Sequence, residues 1–188
     1  PKPIQKTHPP IRVGVTSAET FQIIGRLGYP IFINPSRAFA LSDLSPYIEH
    51  YLKSWRDAGH PGNGEVGLRV PIYVSDTEEK AYDEPRESAL ASMTSLAERV
   101  GVSASREGTT GNWQAESELL SNMTYDDWLR DKVVYGTPDR VSDRLIQLQE
   151  ELHLSQIIYE VNFGRKIPYL LQTKCLRMLA EMVLPKLK

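Results

Sequence analysis

Short apolar runs in this 188-residue chain repeatedly end on polar side chains: Thr16-Ser17 follows residues 11–15, Asn34-Pro35 follows 31–33, Ser75-Asp76 follows 69–74, and Glu160-Val161-Asn162 closes 156–161. In a parallel α/β sheet such strand ends meet the ligand, because helix N-termini and connecting loops converge there. The most informative stretch is Val15-Thr16-Ser17-Ala18-Glu19-Thr20. A strand that breaks into a helix at Thr-Ser presents free backbone amides and hydroxyls at the positive end of the helix dipole, which suits a phosphate. Glu19 opposes that reading unless its carboxylate points into solvent. Ser17 reads equally well as a helix N-cap, and Asp76 reads better as one. Asn34, Glu160 and Asn162 are candidates to line the same pocket.

Other groups carry less chemistry. Glu160 facing a pocket would have a raised pKa, but a partnered acid or a rim residue suits the end of an apolar strand better. His8, His50, His60 and His153 show no metal-ligand spacing, so no metal site is expected. Cys175, the single cysteine, cannot form an internal disulfide and reads as a small core residue. Tyr125-Asp126-Asp127-Trp128 reads as a helix start, and Gly108-Thr109-Thr110-Gly111-Asn112 as a turn, since it lacks the lysine of a phosphate loop.

The elements that must position these groups alternate between strand and helix. Residues 1–10 form a proline-rich extended lead-in. A strand over 11–15 leads to a helix marked by Phe21, Ile24 and Leu27 and stopped at Gly28. A second strand at 31–33 precedes a helix over 45–58, with Ser45 as N-cap and Pro46 at its first position. A third strand at 69–74 opens a helix in which Asp76 and Glu79 form a capping box and which Pro85 kinks or interrupts. Residues 101–132 turn polar and read as an irregular insertion in that third connection. Thr137 and Pro138 start the next helix, and a fourth strand at 156–161 leads to a closing helix that ends at Pro185.

Strands separated by helices imply parallel pairing with right-handed crossovers. A closed (β/α)8 barrel needs eight units and roughly 250 residues, so a chain with four units is half of one, or else a self-contained open sheet. One domain spans 1–188. The net charge of −2 and the absence of a basic run point away from nucleic acid and anionic membranes, and no apolar run is long enough to span a bilayer. The free cysteine and the lack of a signal peptide suggest a reducing cytoplasm. The chain opens on Pro1 rather than methionine, which reads as a processed or truncated protein.

Several stretches taken together resemble the bacterial luciferase-like flavin-dependent monooxygenases. They are His8-Pro9-Pro10-Ile11-Arg12-Val13, Ser17-Ala18-Glu19-Thr20, Gly25-Arg26-Leu27-Gly28-Tyr29-Pro30, Tyr135-Gly136-Thr137-Pro138-Asp139-Arg140-Val141, Gln156-Ile157-Ile158-Tyr159 with Asn162-Phe163-Gly164, and residues 179–185. Their order covers nearly the whole chain outside 101–132. The resemblance implies the C-terminal half of a (β/α)8 TIM-type barrel, an α/β fold with an insertion after the third strand. It implies reduced FMN, bound or supplied by a flavin reductase, and O2 oxidising a small organic substrate. FMN phosphate contacts carry over onto Ser17, Ala18 and Thr20, with Thr16 lining the approach; Thr16 stands where relatives have an acid, so contacts to the rest of the flavin do not carry over. The residues nearest the chemistry would lie in a missing N-terminal half, which, or a second copy of the chain, is the expected partner. Alternatives are a deazaflavin-dependent oxidoreductase of the same superfamily and a non-catalytic flavin-binding or half-barrel partner protein.

Overall fold

In the computed structural model, which describes residues 2–6, 8–35, 40–105 and 113–187, a single long strand organises the sheet. That strand, β3 (Val66–Val74), pairs in parallel with β2 (Ile31–Ile33) along one edge and with β5 (Gln156–Glu160) along its first half. β1 (Val13–Val15) pairs with the outer side of β2. A further strand, β4 (Val134–Gly136), pairs with Ile72, Tyr73 and Val74. All the pairings are parallel, as strand-helix crossovers require. The helices are α1 (Ala18–Leu27), α2 (Ser45–Asp57), α3 (Glu78–Asp83), α4 (Arg86–Ala104), α5 (Trp113–Asn122), α6 (Tyr125–Asp131), α7 (Pro138–Glu151) and α8 (Tyr169–Met178).

Side-chain alternation gives each strand an outer and an inner face. On the outer face Val15, Ile31, Ile33, Leu68, Val70 and Ile72 are buried in one core with Phe21 of α1, the Tyr51 and Trp55 stripe of α2, Leu145 and Leu148 of α7, and Cys175 of α8. The inner face mixes glycines, Phe32 and Ile158 with the charged pair Arg69 and Glu160. The register puts Gly14, Phe32 and Gly67 at one level, and the Phe32 ring lies so close over Gly67 that a Cβ there would meet it at 2.2 Å. Below that level Arg12 pairs with Glu65 and stacks its guanidinium over Phe32 at 5.2 Å. Above it stand Thr16, Asn34 and Arg69.

Five strands form where the sequence suggests four. β4 was hidden because a three-residue run ending at Gly136 merges with the start of the following helix. The insertion over 101–132 is not irregular where it is described. α4 runs on to Ala104, α5 and α6 follow, and α6 opens on a reciprocal capping box between Thr124 and Asp127. α4, α5 and α6 bury a second core of Ala89, Met93, Leu96, Val100, Leu120, Tyr125, Trp128 and Val133. The turn expected at 108–112 lies outside the described residues.

Two expected caps also move. α3 starts one residue late: its N-cap is Thr77, whose hydroxyl accepts from the Lys80 amide, while Asp76 pairs with Lys174 and Lys80. Ser45 is itself the first residue of α2, after Leu44.

Candidate functional site

A cavity of about 670 Å³ opens between the C-terminal ends of the strands and the inner wall of α4. Thr16, Asn34, Glu160 and Asn162 all line it, so residues from the ends of three separate strands meet there. Ser17, Ala18 and Thr20 are not part of that lining; they form the start of α1 immediately beyond Thr16.

At that helix start Ser17 is the N-cap with extended backbone (φ −136°, ψ 151°), but its side chain makes no capping bond. Its hydroxyl lies 3.3 Å from the Thr20 hydroxyl, which itself donates to the Ser17 carbonyl at 2.6 Å. Ala18 and Glu19 are exposed. The first turn of α1 therefore offers backbone amides and a hydroxyl not committed to capping, the chemistry that receives an anion. α7 differs: Glu78 of α3 accepts from both the amide (3.0 Å) and the hydroxyl (2.7 Å) of Thr137, so a carboxylate already occupies that helix start. Those bonds and Arg140 hold the Glu78 carboxyl below its ordinary range, against the opposing effect of its burial.

Arg69, projecting inward from the middle of β3, is the residue that sequence reasoning missed. Its Nη2 donates to Glu160 Oε1 at 2.7 Å across the β3–β5 register, so Glu160 is a partnered acid. Glu160 Oε2 is buried with no hydrogen-bond partner among the described residues. An arginine inside the otherwise apolar run Val66-Gly67-Leu68-Arg69-Val70 was the available signal, since a charge on a central strand must face a polar interior. α4 supplies Ser92, Ser95 and Arg99, which belong to no motif in the sequence.

The loop after β5 is fixed against α4. Ser88 Oγ donates to the Phe163 carbonyl at 2.5 Å and accepts from the Lys166 amide at 3.0 Å. Asn162 Oδ1 accepts from the Ile167 amide at 3.1 Å, and Phe163 stacks on Trp128 with ring centroids 5.5 Å apart. Lys132, at the end of α6, is buried and donates to the Pro35 carbonyl at 3.1 Å, tying the helical layer to the end of β2. Desolvation lowers its pKa to about 8, opposed by Asp131, Asp43 and Glu116. Burial pushes the Cys175 thiol up to about 11, and its Sγ accepts from the Val74 amide, so it is a core residue outside the site.

Parallel strand-helix units whose strand ends and loops surround a polar cavity are the layout of an α/β barrel, here about half of one. The sequence profile of the luciferase-like monooxygenases matches residues 1–153, and the chain belongs to that family. It is 26% identical to the FMNH2-dependent dimethylsulfone monooxygenase of Pseudomonas putida over 185 residues, covering 89% of this chain and 47% of that protein. The structure of monooxygenase RslO1 from Streptomyces bottropensis matches all of the chain with 51% of its own, at a TM-score of 0.70 and 18% identity. The coenzyme F420 dependent tetrahydromethanopterin reductase of Methanopyrus kandleri matches 95% of the chain with 51% of its own, at a TM-score of 0.62 and 18% identity. The chain thus spans about half the length of these relatives. Among the described residues no helix is long and apolar enough to cross a membrane, and no group of acids, histidines and cysteine is arranged to hold a metal.

Proposed function

We propose that this chain is the phosphate-binding half of an FMN-dependent luciferase-like monooxygenase, which acts on a small organic substrate with O2 once further strand-helix units close the barrel. The observation that carries the reading is the start of α1, where the Ser17 side chain makes no capping bond beside a cavity that Thr16 lines. In this reading Ser17 and Thr20 hold the phosphate by their hydroxyls, and the Ala18 and Glu19 amides complete its cradle. When bound, the flavin supplies the electrons that activate O2. The residues of this half bind and orient: Thr16 and Asn34 shape the rim, Arg69 holds the Glu160 carboxylate in place through its 2.7 Å bond, and α4 with the loop at 162–167 screens the cavity from water.

The outer edges of β1 and β5 have no strand partners among the described residues. A barrel closes by pairing such edges, so four more units or a second copy of the chain is the proposed partner. A second reading, hydride transfer with a deazaflavin, rests on the likeness to the F420 dependent reductase and uses the same phosphate cradle.

The test is a fluorescence titration of the purified chain with FMN, repeated for Ser17→Ala and Thr20→Ala. Saturable quenching should weaken roughly tenfold in each variant, the loss expected for a hydrogen bond to a charged group. A folded chain that binds no FMN, or binds it equally well in both variants, overturns the assignment.

A further inference from the structure

We infer that the mouth of the cavity, away from α1, binds an anionic group of the substrate between Arg165 and Arg99. The inference rests on the flavin reading only in taking the phosphate of the cofactor to sit at α1; the two sites are built by different elements.

Arg165 lines the cavity with its backbone in the left-handed region, at φ 64°. A side chain rarely adopts that conformation unless the surroundings impose it, and such positions gather at ligand sites. Here the surroundings do impose it. The Arg165 amide donates to the Asn162 carbonyl at 3.0 Å. Gly164, at φ 89°, sits against Ser88 so closely that a Cβ would lie 1.8 Å from the Ser88 carbonyl oxygen. Ser88 Oγ, donating to the Phe163 carbonyl and accepting from the Lys166 amide, and Asn162 Oδ1, accepting from the Ile167 amide, close the turn on either side. The arginine is therefore presented from a rigid support rather than from a loose loop.

Among the described residues Arg165 has no carboxylate partner, whereas the adjacent Lys166 pairs with Glu87 at 2.9 Å. Arg99, on the α4 wall of the same cavity, donates from Nε to the Ser95 carbonyl at 3.2 Å, and its terminal nitrogens meet no acid among the described residues. Arg69 is matched by Glu160. Among the described residues the cavity thus holds two guanidinium groups without an acid partner, with the hydroxyls of Ser92 and Ser95 on the same wall. Guanidinium groups bind carboxylate, sulfonate and phosphate oxygens through paired N–H donors, and they bind more strongly where water is displaced. A purely hydrocarbon substrate would leave both cations desolvated without gain.

The test uses the 188-residue chain with benzoate and its neutral counterpart benzamide, titrated by calorimetry with and without FMN. Benzoate should bind at least tenfold more tightly than benzamide, a preference that should fall to about unity in Arg165→Gln/Arg99→Gln and survive in Arg165→Lys. Arg165→Gly should abolish most of the preference while raising the thermal midpoint, because glycine relieves the left-handed backbone. A residue with only a structural role would lower the midpoint. Equal binding of the two probes, binding of neither, or a preference unchanged in the double variant overturns the proposal. Weakened binding of FMN but not of riboflavin in the double variant also overturns it, by assigning the arginines to the cofactor phosphate. If the wild-type chain fails to bind FMN, only the flavin reading falls, since the preference for benzoate is measured without it.

Discussion

The sheet and the α4–α6 layer enclose one cavity but are made by different rules. On the sheet, β-branched residues alternate with a sparse inner face, and one core joins every strand to α1, α2, α7 and α8. The α4–α6 layer has no strand and buries serines as well as apolar groups: Ser88, Ala89, Ser92, Met93, Leu96 and Val100 form the hidden side of α4. The sheet places Thr16, Asn34 and the Arg69–Glu160 pair, whereas the helical layer places Arg99 and braces the loop that carries Arg165. A scaffold that fixes the strand ends and a separately built wall that varies around them can keep one cofactor site while changing the ligand beside it.

The sharpest way to break that comparison is Trp128→Ala. Trp128 is fully buried in the second core and stacks on Phe163, so its removal should cost about 3–5 kcal/mol in urea denaturation. Hydrogen exchange should show the loss first in α4, α5 and α6 while the amides of β1, β2 and β3 stay protected. A uniform loss would show that the two layers unfold as one.

A smaller effect tests the tie between the layers. Lys132 has its folded pKa lowered to about 8 by burial, so from about pH 8 to its unfolded value near 10.5 the unfolded chain binds more protons than the folded one. Stability should therefore rise across that window, by ~1–2 kcal/mol, and Lys132→Met should flatten the rise. Buried tyrosines act oppositely. Desolvation, with Glu84 accepting from its hydroxyl, raises Tyr73, and desolvation raises Tyr125 to a lesser extent; their contribution is present below pH 10 and lost above it, so both proteins should lose stability there. Parallel wild-type and variant curves between pH 8 and 10 would refute the latch.

The smallest change expected is from Arg69→Gln. Arg69 and Glu160 are both partly solvated, so breaking the pair should cost about 1 kcal/mol or less in the same denaturation assay.

How much of this was legible follows from the same contrast. β1, β2, β5, α1 and α2 announce themselves through dense apolar runs or the stripe from Ile48 to Trp55, and Gly28 stops α1 in the left-handed conformation expected of it. α4 did not, because small serines can be buried where their hydroxyls bond locally or to the Phe163 carbonyl, and hydrophobic periodicity does not register them. β4 is too short to carry a pattern. At the site, Thr16, Asn34, Glu160 and Asn162 were readable as strand ends, whereas Arg99 and Arg165 depend on a helix and a left-handed turn that no local pattern marks. Gly164 beside Arg165 was a clue to the turn but not to its contact with Ser88.

The most direct measurement is the ratio of FMN to riboflavin affinity in the wild-type chain and in Ser17→Ala/Thr20→Ala, since only the phosphate differs between the ligands. FMN should bind at least tenfold more tightly than riboflavin to the wild type, and the double substitution should bring the ratio close to one without weakening riboflavin. A ratio near one in the wild type, or one that the substitutions leave untouched, would contradict a phosphate site at the start of α1.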